Sequence, residues 1–128
     1  MITLLLVDDN AMIRQALHGI LEEYDHLKVI GEAADGVTAF HLTLSLRPDV
    51  VLMDVGLSRL NGIDATRRIK DLLPQTVIVG LSVHSVGQIE RAMLAAGASA
   101  FFSKDISPDE LVSTIKLKVE QRSCIRAS

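Results

Sequence analysis

The sequence predicts an α/β fold of the doubly wound class, in which a parallel five-stranded sheet is covered by helices on both faces. Five short apolar segments alternate with longer segments whose apolar residues recur at helical spacing, one pair about every 25 residues. Aromatic residues make up only 3% of the chain, so aliphatic side chains must fill the core, as they do in sheets buried on both sides. The length of 128 residues corresponds to a single domain.

The first strand and the first helix are predicted at the amino-terminal end. Ile2–Val7 is apolar apart from one threonine and has the length of a strand. Asp9 or Asn10 can cap a helix that begins at Ala11, because both side chains accept hydrogen bonds from free helical amides. The apolar residues of this helix lie on one stripe, which consists of Ile13, Leu17, Ile20 and Leu21.

The second and third strand–helix pairs repeat this pattern. Their strands are predicted over Leu27–Gly31 and Val50–Met53, and Asp35 opens the second helix. Pro48 and Pro74 lie just beyond the second and third helices, where proline prevents the helix from continuing. The apolar stripe of the third helix consists of Ile63, Ile69, Leu72 and Leu73.

The fourth and fifth pairs complete the sheet. Their strands are predicted over Val77–Leu81 and Ala100–Phe102. Gly97 is placed to end the fourth helix in the left-handed conformation. Ser107 followed by Pro108 is a typical start for the fifth helix.

The remaining features of the sequence bound the domain and its location. The apolar spacing is lost after Val119, so we expect a domain over residues 1–121 and a tail or the start of a linker over residues 122–128. A net charge of −3 argues against a surface devoted to nucleic acid. The single cysteine, Cys124, excludes an internal disulfide and a cysteine-based zinc site. No apolar run approaches the ~18 residues of a membrane span, and Met1 leads straight into a strand, so we expect a cytoplasmic domain.

Charged and polar residues follow four of the five predicted strands. They are Asp8 and Asp9 after the first strand, Asp54 after the third, Ser82 after the fourth and Lys104 after the fifth. The carboxyl ends of parallel strands meet at one edge of the sheet, so these side chains should lie together. Three carboxylates and one ammonium leave a charge of about −2, which a carboxylate-bound Mg²⁺ would neutralise. A carboxylate beside Mg²⁺ and a lysine is suited to attack phosphorus.

With these residues in this order, the chain resembles the receiver domain of a two-component response regulator over most of its length. Asn61 and Gly62 also match the loop that follows the acceptor aspartate in that family. The resemblance implies a (βα)₅ flavodoxin-like fold with strand order 2-1-3-4-5. It further implies a phosphorylation-activated signalling switch, and not an enzyme beyond self-catalysed phosphotransfer and autodephosphorylation.

The resemblance implies a role for each residue of the site. Asp54 corresponds to the phosphoacceptor, which receives a phosphoryl group from the phosphohistidine of a partner sensor histidine kinase, and it also contacts the metal. Asp9 corresponds to a direct Mg²⁺ ligand, Asp8 to a ligand that acts largely through water, and the backbone carbonyl of Gly56 to the last protein ligand. Lys104 would pair with the phosphoryl oxygens.

The resemblance also implies how the signal leaves the site. Ser82 would turn inward to hydrogen-bond the phosphoryl group, and Phe101 corresponds to an aromatic switch, although a strand residue at this position is equally expected as plain core. The signal would appear on the face formed by the fourth helix, fifth strand and fifth helix. A homodimer on phosphorylation is expected, through this face or through the first and fifth helices. Gly56 and His84 correspond to positions that border the phosphoryl group and tune its lifetime.

The chain departs from the common family pattern at two points. Leu57 and Ser58 stand where methionine and proline are usual, so the loop is less fixed. Asp105 follows Lys104 where proline is usual, and together with residues 107–111 this resembles the NarL/LuxR class, which usually carries a helix-turn-helix output. The chain is therefore either the N-terminal part of a transcriptional regulator, which would contact DNA only through an output domain outside these residues, or a stand-alone receiver that acts by protein contact.

Other function classes fit the residues less well. An aspartyl phosphatase would also use Asp54 and Mg²⁺, but it needs a second acid two residues later, where this chain has Gly56. A nucleotide- or flavin-binding domain needs a glycine-rich loop after the first strand, which the sequence lacks. A degenerate receiver that only binds protein is disfavoured by the complete set of aspartate, serine and lysine. The histidines without converging ligand partners are expected on the surface or as caps, and they are His18, His26 and His41.

Overall fold

The computed structural model describes residues 1–56, 61–83 and 87–127, with side chains up to residue 122. Five parallel strands form one sheet in the order β2-β1-β3-β4-β5, as predicted. The strands are β1 Ile2–Val7, β2 Leu27–Ala33, β3 Val50–Asp54, β4 Val77–Ser82 and β5 Ala100–Ser103. The helices are α1 Ala11–Glu22, α2 Gly36–Leu46, α3 Gly62–Leu72, α4 Gly87–Ala96 and α5 Pro108–Ala127.

The sheet separates two hydrophobic cores. Neighbouring residues of β1 point to opposite faces, so Leu4 and Leu5 belong to different cores. Leu4 packs in the same cluster as Leu21 of α1 and Ile115 of α5. Leu5 packs in the other cluster, with Ile69 of α3 and residues of α2 and α4. The central strands are thus buried on both faces, which explains why they read as continuous apolar runs.

The first two helices begin at side-chain caps. Asn10, and not Asp9, caps α1, since its side-chain oxygen accepts hydrogen bonds from the amides of Met12 and Ile13 at 3.0 and 3.1 Å. Asp35 caps α2 in the same way, as predicted. Asp9 is therefore not the cap of the helix that follows it.

The later helix ends agree with the turn residues of the sequence. Arg47 ends α2 in the left-handed region, with φ of 48°, directly before Pro48. Gly97 follows α4 with φ of +116°, a conformation that glycine adopts without a Cβ clash. Ser107 accepts a hydrogen bond from the amide of Glu110 at 3.2 Å and so caps the first turn of α5.

Helix α5 is longer than the sequence predicts. It continues to Ala127, through the segment expected to be a tail. Arg122 donates hydrogen bonds to the backbone carbonyls of Asp49 at 3.4 Å and Gln75 at 3.3 Å, and these contacts hold this part of the helix against the connections that precede β3 and β4. The residues before it are good helix formers with no glycine or proline to stop them. The domain boundary at residue 121 stays a prediction.

The strand ends bring the polar residues to one edge. Asp54 is the last residue of β3 and pairs in register with Leu81 of β4, while Ser82 pairs with Ser103 of β5.

Among the described residues, we find no helix that combines the length and the apolar character needed to cross a bilayer.

Candidate functional site

Three carboxylates meet at the carboxyl edge of the sheet. Asp8 and Asp9 lie in the connection between β1 and α1, and Asp54 ends β3. Each offers an oxygen atom within 4.8 Å of the others. Asp8 is 6% exposed and Asp54 5%, whereas Asp9 is exposed. The cluster therefore has a buried floor made by two carboxylates and an open side at Asp9.

Lys104 is the cation of this cluster. Its Nζ lies 2.7 Å from Oδ2 of Asp8 and 3.3 Å from Oδ2 of Asp54. Burial lowers the pKa of the Lys104 amine, but the hydrogen bond with Asp8 and the charges of Asp54 and Asp8 outweigh burial, so the pKa is raised overall. Lys104 is thus a fixed ammonium group shared by two carboxylates.

Asp54 is held by donors on both of its oxygens. Its Oδ1 accepts a hydrogen bond from the backbone amide of Gly56 at 3.1 Å, and its Oδ2 faces Lys104. Burial is the largest cause of a raised pKa of Asp54, and the charge of Asp8 adds to it, while the Gly56 amide and Lys104 lower it. The net rise shows that the ionised form of Asp54 is incompletely stabilised by the residues around it.

The donor set fits a hard divalent cation. Asp8, Asp9 and Asp54 contribute three negative charges and Lys104 one positive charge, so the cluster carries about −2 before any ion is bound. Carboxylate oxygens are the protein ligands that Mg²⁺ prefers, and an open side leaves room for its water ligands. The backbone amide of Gly56 contacts Asp54, and the role of the Gly56 carbonyl as a ligand stays a prediction.

Ser82 lies beside the cluster at the end of β4. It is buried, and its backbone carbonyl accepts a hydrogen bond from the amide of Lys104 at 2.9 Å. One cleft is lined by Asp9, Asp54 and Gly56 together with Ser82 and Lys104. The structure therefore brings five of the predicted site residues to a single cleft, with Asp8 in contact with its lysine.

Phe101 does not line this cleft. It is buried in the core on the side of α2, α3 and α4. A Cβ atom on Gly80 of β4 would lie 2.9 Å from Cδ2 of Phe101 and 2.8 Å from Cε of Met93, so the ring packs closely over a glycine. This packing does not test the role of Phe101 as a switch, which stays a prediction. His84 lies outside the described residues, as do Leu57 and Ser58.

The loop after Asp54 returns to it at Gly62. A Cβ atom on Gly62 would lie 2.4 Å from the carbonyl oxygen of Asp54 and 2.8 Å from the Cα of Val55. Asn61 caps α3 with its side-chain oxygen, which accepts from the amide of Asp64 at 2.9 Å. The start of α3 is thus pressed directly against the residue that ends β3.

Sequence reasoning missed Arg14. Its guanidinium Nη1 donates to the backbone carbonyl of Asp8 at 2.7 Å, and its Nε pairs with Glu32 at 2.8 Å. One signal was available, because a cation close to the N-terminus of a helix opposes the helix dipole and requires a local partner. His18, expected on the surface or as a cap, lies on α1 with Nδ1 at 2.7 Å from Glu32 and Nε2 at 3.3 Å from Glu22.

Comparison with known proteins gives a consistent set of relatives. Residues 4–116 match the model of the response regulator receiver domain family. Transcriptional regulatory protein MctR of Rhizobium johnstonii is 36% identical over 115 residues, which cover 90% of this chain and 54% of that protein. Response regulator UvrY of Escherichia coli is 37% identical over 116 residues, which cover 91% of this chain and 53% of that protein. The chain spans about half the length of these curated relatives.

A solved structure agrees with these sequence relatives. The crystal structure of a two-component response regulator of the LuxR family from Aurantimonas sp. superposes with a TM-score of 0.90 at 31% identity. The match covers 95% of this chain and 87% of that chain. The topology and the order of the strands are therefore shared over nearly all of the sequence.

Proposed function

The chain belongs to the response regulator receiver domain family, and on this premise we propose that it is a phosphorylation-activated switch whose phosphoacceptor is Asp54. The observation that carries the proposal is the position of the Asp54 carboxylate, which is buried at the end of β3, 3.3 Å from Lys104 and within 4.8 Å of oxygens of Asp8 and Asp9. Membership of the NarL/LuxR class agrees with the relatives and with the LuxR-family structure.

Asp54 is a better nucleophile than Asp8, the other buried carboxylate of the cluster. The contacts of Asp8 are the shorter ones, with the amide of Asn10 at 2.8 Å from Oδ1 and Lys104 at 2.7 Å from Oδ2, against 3.1 and 3.3 Å for the donors at the two oxygens of Asp54. Asp54 has a raised pKa and a weaker contact with the lysine, so its charge is less stabilised and more available for bond formation. In the transfer, an Asp54 oxygen forms the bond to phosphorus while the P–N bond to the kinase histidine breaks and the imidazole keeps its electron pair.

The residues around Asp54 would stabilise the transferred group. The carboxylates of Asp8, Asp9 and Asp54 and the carbonyl of Gly56 would hold Mg²⁺, with Asp9 as a direct ligand and Asp8 acting largely through water. When bound, Mg²⁺ supplies positive charge to the phosphoryl oxygens. Lys104 would contribute the second positive charge, because its ammonium already lies next to the acceptor oxygen.

The signal would pass to the face formed by α4, β5 and α5. In this proposal the Ser82 hydroxyl binds the phosphoryl group, and Phe101 follows its movement. The amide of Lys104 donates a hydrogen bond to the carbonyl of Ser82. A displacement of either residue would therefore move both the end of β4 and the end of β5. Gly56 and His84 would set the lifetime of the phosphorylated state through their position beside the phosphoryl group.

The proposed partners follow from the family. The phosphoryl donor is a sensor histidine kinase, and the phosphorylated chain forms a homodimer. Curated relatives twice as long are named transcriptional regulators, so we propose that this receiver controls a helix-turn-helix output domain that contacts DNA in a longer protein. A stand-alone receiver that acts by protein contact is the alternative. The reaction is placed in the cytoplasm, where the kinase finds its ATP, and no catalysis is proposed beyond self-catalysed phosphotransfer and autodephosphorylation.

Phosphorylation by a small donor tests the assignment of Asp54. Acetyl phosphate with Mg²⁺ should add one phosphoryl group per chain, detected by intact-protein mass spectrometry. Asp54→Asn should stay unlabelled, because an amide is not a nucleophile under these conditions. Asp71→Asn, which changes an exposed aspartate of α3, should be labelled like the wild type. Labelling of Asp54→Asn to the wild-type extent would sink the assignment.

A further inference from the structure

Arg14 connects α1 to the carboxylate cluster and to β2. Its Nη1 donates to the backbone carbonyl oxygen of Asp8 at 2.7 Å, and its Nε donates to Oε1 of Glu32 at 2.8 Å. The side chain is only 18% exposed. A guanidinium group presents donors in a rigid planar fork, so these two contacts together fix where the group lies.

Glu32 is itself anchored on its other oxygen. His18 Nδ1 lies 2.7 Å from Oε2 of Glu32, and this hydrogen bond is the largest cause of the lowered pKa of Glu32. Burial acts in the opposite direction, and Arg14 adds to the lowering. Glu32 is therefore an ionised group that holds Arg14 in place from the side of β2.

The contact with Asp8 controls a peptide plane and not a side chain. The carbonyl of Asp8 and the amide of Asp9 belong to one planar unit, so a hydrogen bond on the carbonyl oxygen sets the direction in which the chain enters Asp9. The amide of Asp8 donates a hydrogen bond to the carbonyl oxygen of Ala33 in β2 at 3.0 Å, and this bond fixes the peptide plane between Val7 and Asp8. Asp9 is exposed, so the place of its carboxylate depends on this backbone.

We propose that Arg14 is a positioning residue for Mg²⁺ binding, which acts by fixing the Asp8–Asp9 peptide so that the Asp9 carboxylate faces Asp54. The inference rests on the proposed function only in taking the carboxylate cluster as the Mg²⁺ site. Arg14 is paired with Glu32, so it works by geometry and adds little net charge to the cluster. Groups that orient metal ligands typically cost about 10- to 100-fold in metal affinity when they are removed.

Arg14→Met tests the proposal, because it keeps the apolar stem and removes the guanidinium. Arg67→Met is the matched control, since Arg67 makes an exposed ion pair with Asp64 on α3. In the metal-free protein, the ¹³C carbonyl resonance of Asp8 should move in Arg14→Met and stay in place in Arg67→Met. Titration of the unphosphorylated protein with Mg²⁺ should show a Kd raised about ten-fold in Arg14→Met alone.

The phosphorylation rate separates positioning from general damage. With acetyl phosphate, the Mg²⁺ concentration for half-maximal rate should rise about ten-fold in Arg14→Met, while the rate at saturating Mg²⁺ stays within two-fold of wild type. Glu32→Gln, which keeps an acceptor for Arg14 but loses the charge, should give a smaller shift in the same direction. This second variant decides the question where circular dichroism shows Arg14→Met to be unfolded.

Two failures can be told apart. In the first, the wild type binds Mg²⁺ and the Arg14→Met or Glu32→Gln variant binds it with an unchanged Kd. This result would overturn the role of Arg14 and leave the metal site in place. A wild-type chain that does not respond to Mg²⁺ would overturn the metal site and the role of Arg14 together. A fall in the saturated rate with an unchanged Mg²⁺ dependence would also contradict positioning, because it would place the effect of Arg14 after metal binding.

Discussion

At Asp54, burial and charge act in opposite directions on one carboxyl group. Burial raises its pKa most strongly, and the Gly56 amide and Lys104 compensate only in part. A buried carboxyl with a raised pKa and a specific charged partner in a cleft is typical of a functional site. In the proposed transfer, a carboxylate whose charge is incompletely stabilised is the stronger nucleophile toward phosphorus, and the negative charge passes to the phosphoryl oxygens.

Glu32 should make the stability of the fold depend on pH in the acid range. Its pKa lies below the ordinary value of 4.5, so the folded chain binds fewer protons than the unfolded chain just below that pH. The stabilisation is therefore complete above pH 4.5 and is lost as the pH falls through the lowered pKa of Glu32. Glu32→Gln should lower the Tm at pH 7 by about 2–5 °C, and the gap to wild type should close on acidification.

Melting curves between pH 3 and pH 7 check this dependence. The groups that face Glu32 are Arg14 and His18 of α1, and His18 also faces Glu22. Glu120→Gln changes an exposed glutamate of α5 and should follow the wild-type profile. A gap between Glu32→Gln and wild type that is as large at pH 3 as at pH 7 would show that the ionised form of Glu32 is not what stabilises the fold.

Ser82 should affect the response to phosphorylation more than phosphorylation itself. Removal of its hydroxyl leaves Asp54 chemically intact but takes away a hydrogen bond to a charged group, worth about 1.5–3 kcal/mol, or roughly ten-fold or more in a two-state equilibrium. Ser82→Ala should accept the phosphoryl group and shift the amide resonances of α4 and β5 much less than wild type. Ser113→Ala, exposed on α5, is the control. Equal shifts in all three proteins would remove Ser82 from the switch.

At the scale of elements, the start of α3 is fitted to the end of β3. Gly62 approaches Asp54 so closely that any Cβ would meet backbone atoms, which cannot rotate away. Gly62→Ala should therefore destabilise the fold by about 1–3 kcal/mol through overpacking, and it should slow phosphorylation by displacing Asp54. Gly19→Ala is a matched control within α1, where nothing lies within 4 Å of the added atom.

Chemical denaturation of the two glycine variants measures this fit. Gly19→Ala should stabilise the chain by roughly 0.5–1 kcal/mol, because glycine in a helix interior loses more backbone freedom on folding than alanine. The two substitutions add the same methyl group and should change stability in opposite directions. A Gly62→Ala variant as stable as wild type would mean that α3 can move away from Asp54 without cost.

The elements themselves were predictable because their signals are local. The strands are apolar runs. Asp35 caps the start of α2 through the nearby amide of Thr38, and Gly97 follows α4 with a positive φ. The sequence alone does not decide between Asp9 and Asn10 as the cap of α1, since both side chains can accept the same hydrogen bonds. Only the path of the backbone selects Asn10 and leaves Asp9 to the carboxylate cluster.

The features that sequence reasoning missed depend on contacts between distant residues. The extension of α5 is stabilised by Arg122, which donates to the backbone carbonyls of Asp49 and Gln75 in the connections before β3 and β4. Arg14 is held by Glu32, a residue of another element. In both cases an arginine on a helix binds an acceptor whose position is known only once the strand order is known. The motifs of the sequence indicate candidate site residues, but they do not indicate the groups of other elements that contact those residues.

For the whole molecule, the repulsion among the clustered carboxylates lowers the stability of the metal-free fold. Two cores on either side of the sheet fix the strand ends, and those ends hold Asp8, Asp9 and Asp54 close together with Lys104 as their cation. Like charges a few ångströms apart repel, so the metal-free fold gives up stability to keep the cluster assembled. An ion that binds only the assembled cluster should recover that stability.

Mg²⁺ should therefore stabilise the folded chain, and Asp9→Asn should uncouple stability from Mg²⁺. At ten times its Kd, Mg²⁺ adds about 1.4 kcal/mol, or a rise in Tm of ~5 °C for a domain of this size. Asp9→Asn removes one of the repelling charges without removing the cap of α1, which is Asn10. The variant should melt higher than wild type in EDTA, lose the Mg²⁺-dependent rise and accept phosphoryl groups much more slowly.

Melting curves of both proteins with EDTA and with Mg²⁺ decide this last prediction, with Asp71→Asn as a control at an exposed aspartate of α3. The control should keep the full response to Mg²⁺, because Asp71 is not one of the three clustered carboxylates. Its change in net charge equals that of Asp9→Asn. If Asp71→Asn also melts higher in EDTA, the gain comes from net charge and not from relief within the cluster. If wild type ignores Mg²⁺ and Asp9→Asn is the less stable protein in EDTA, the three carboxylates do not share a metal. Asp8 would then have to be explained by its contacts with Lys104 and with the amide of Asn10.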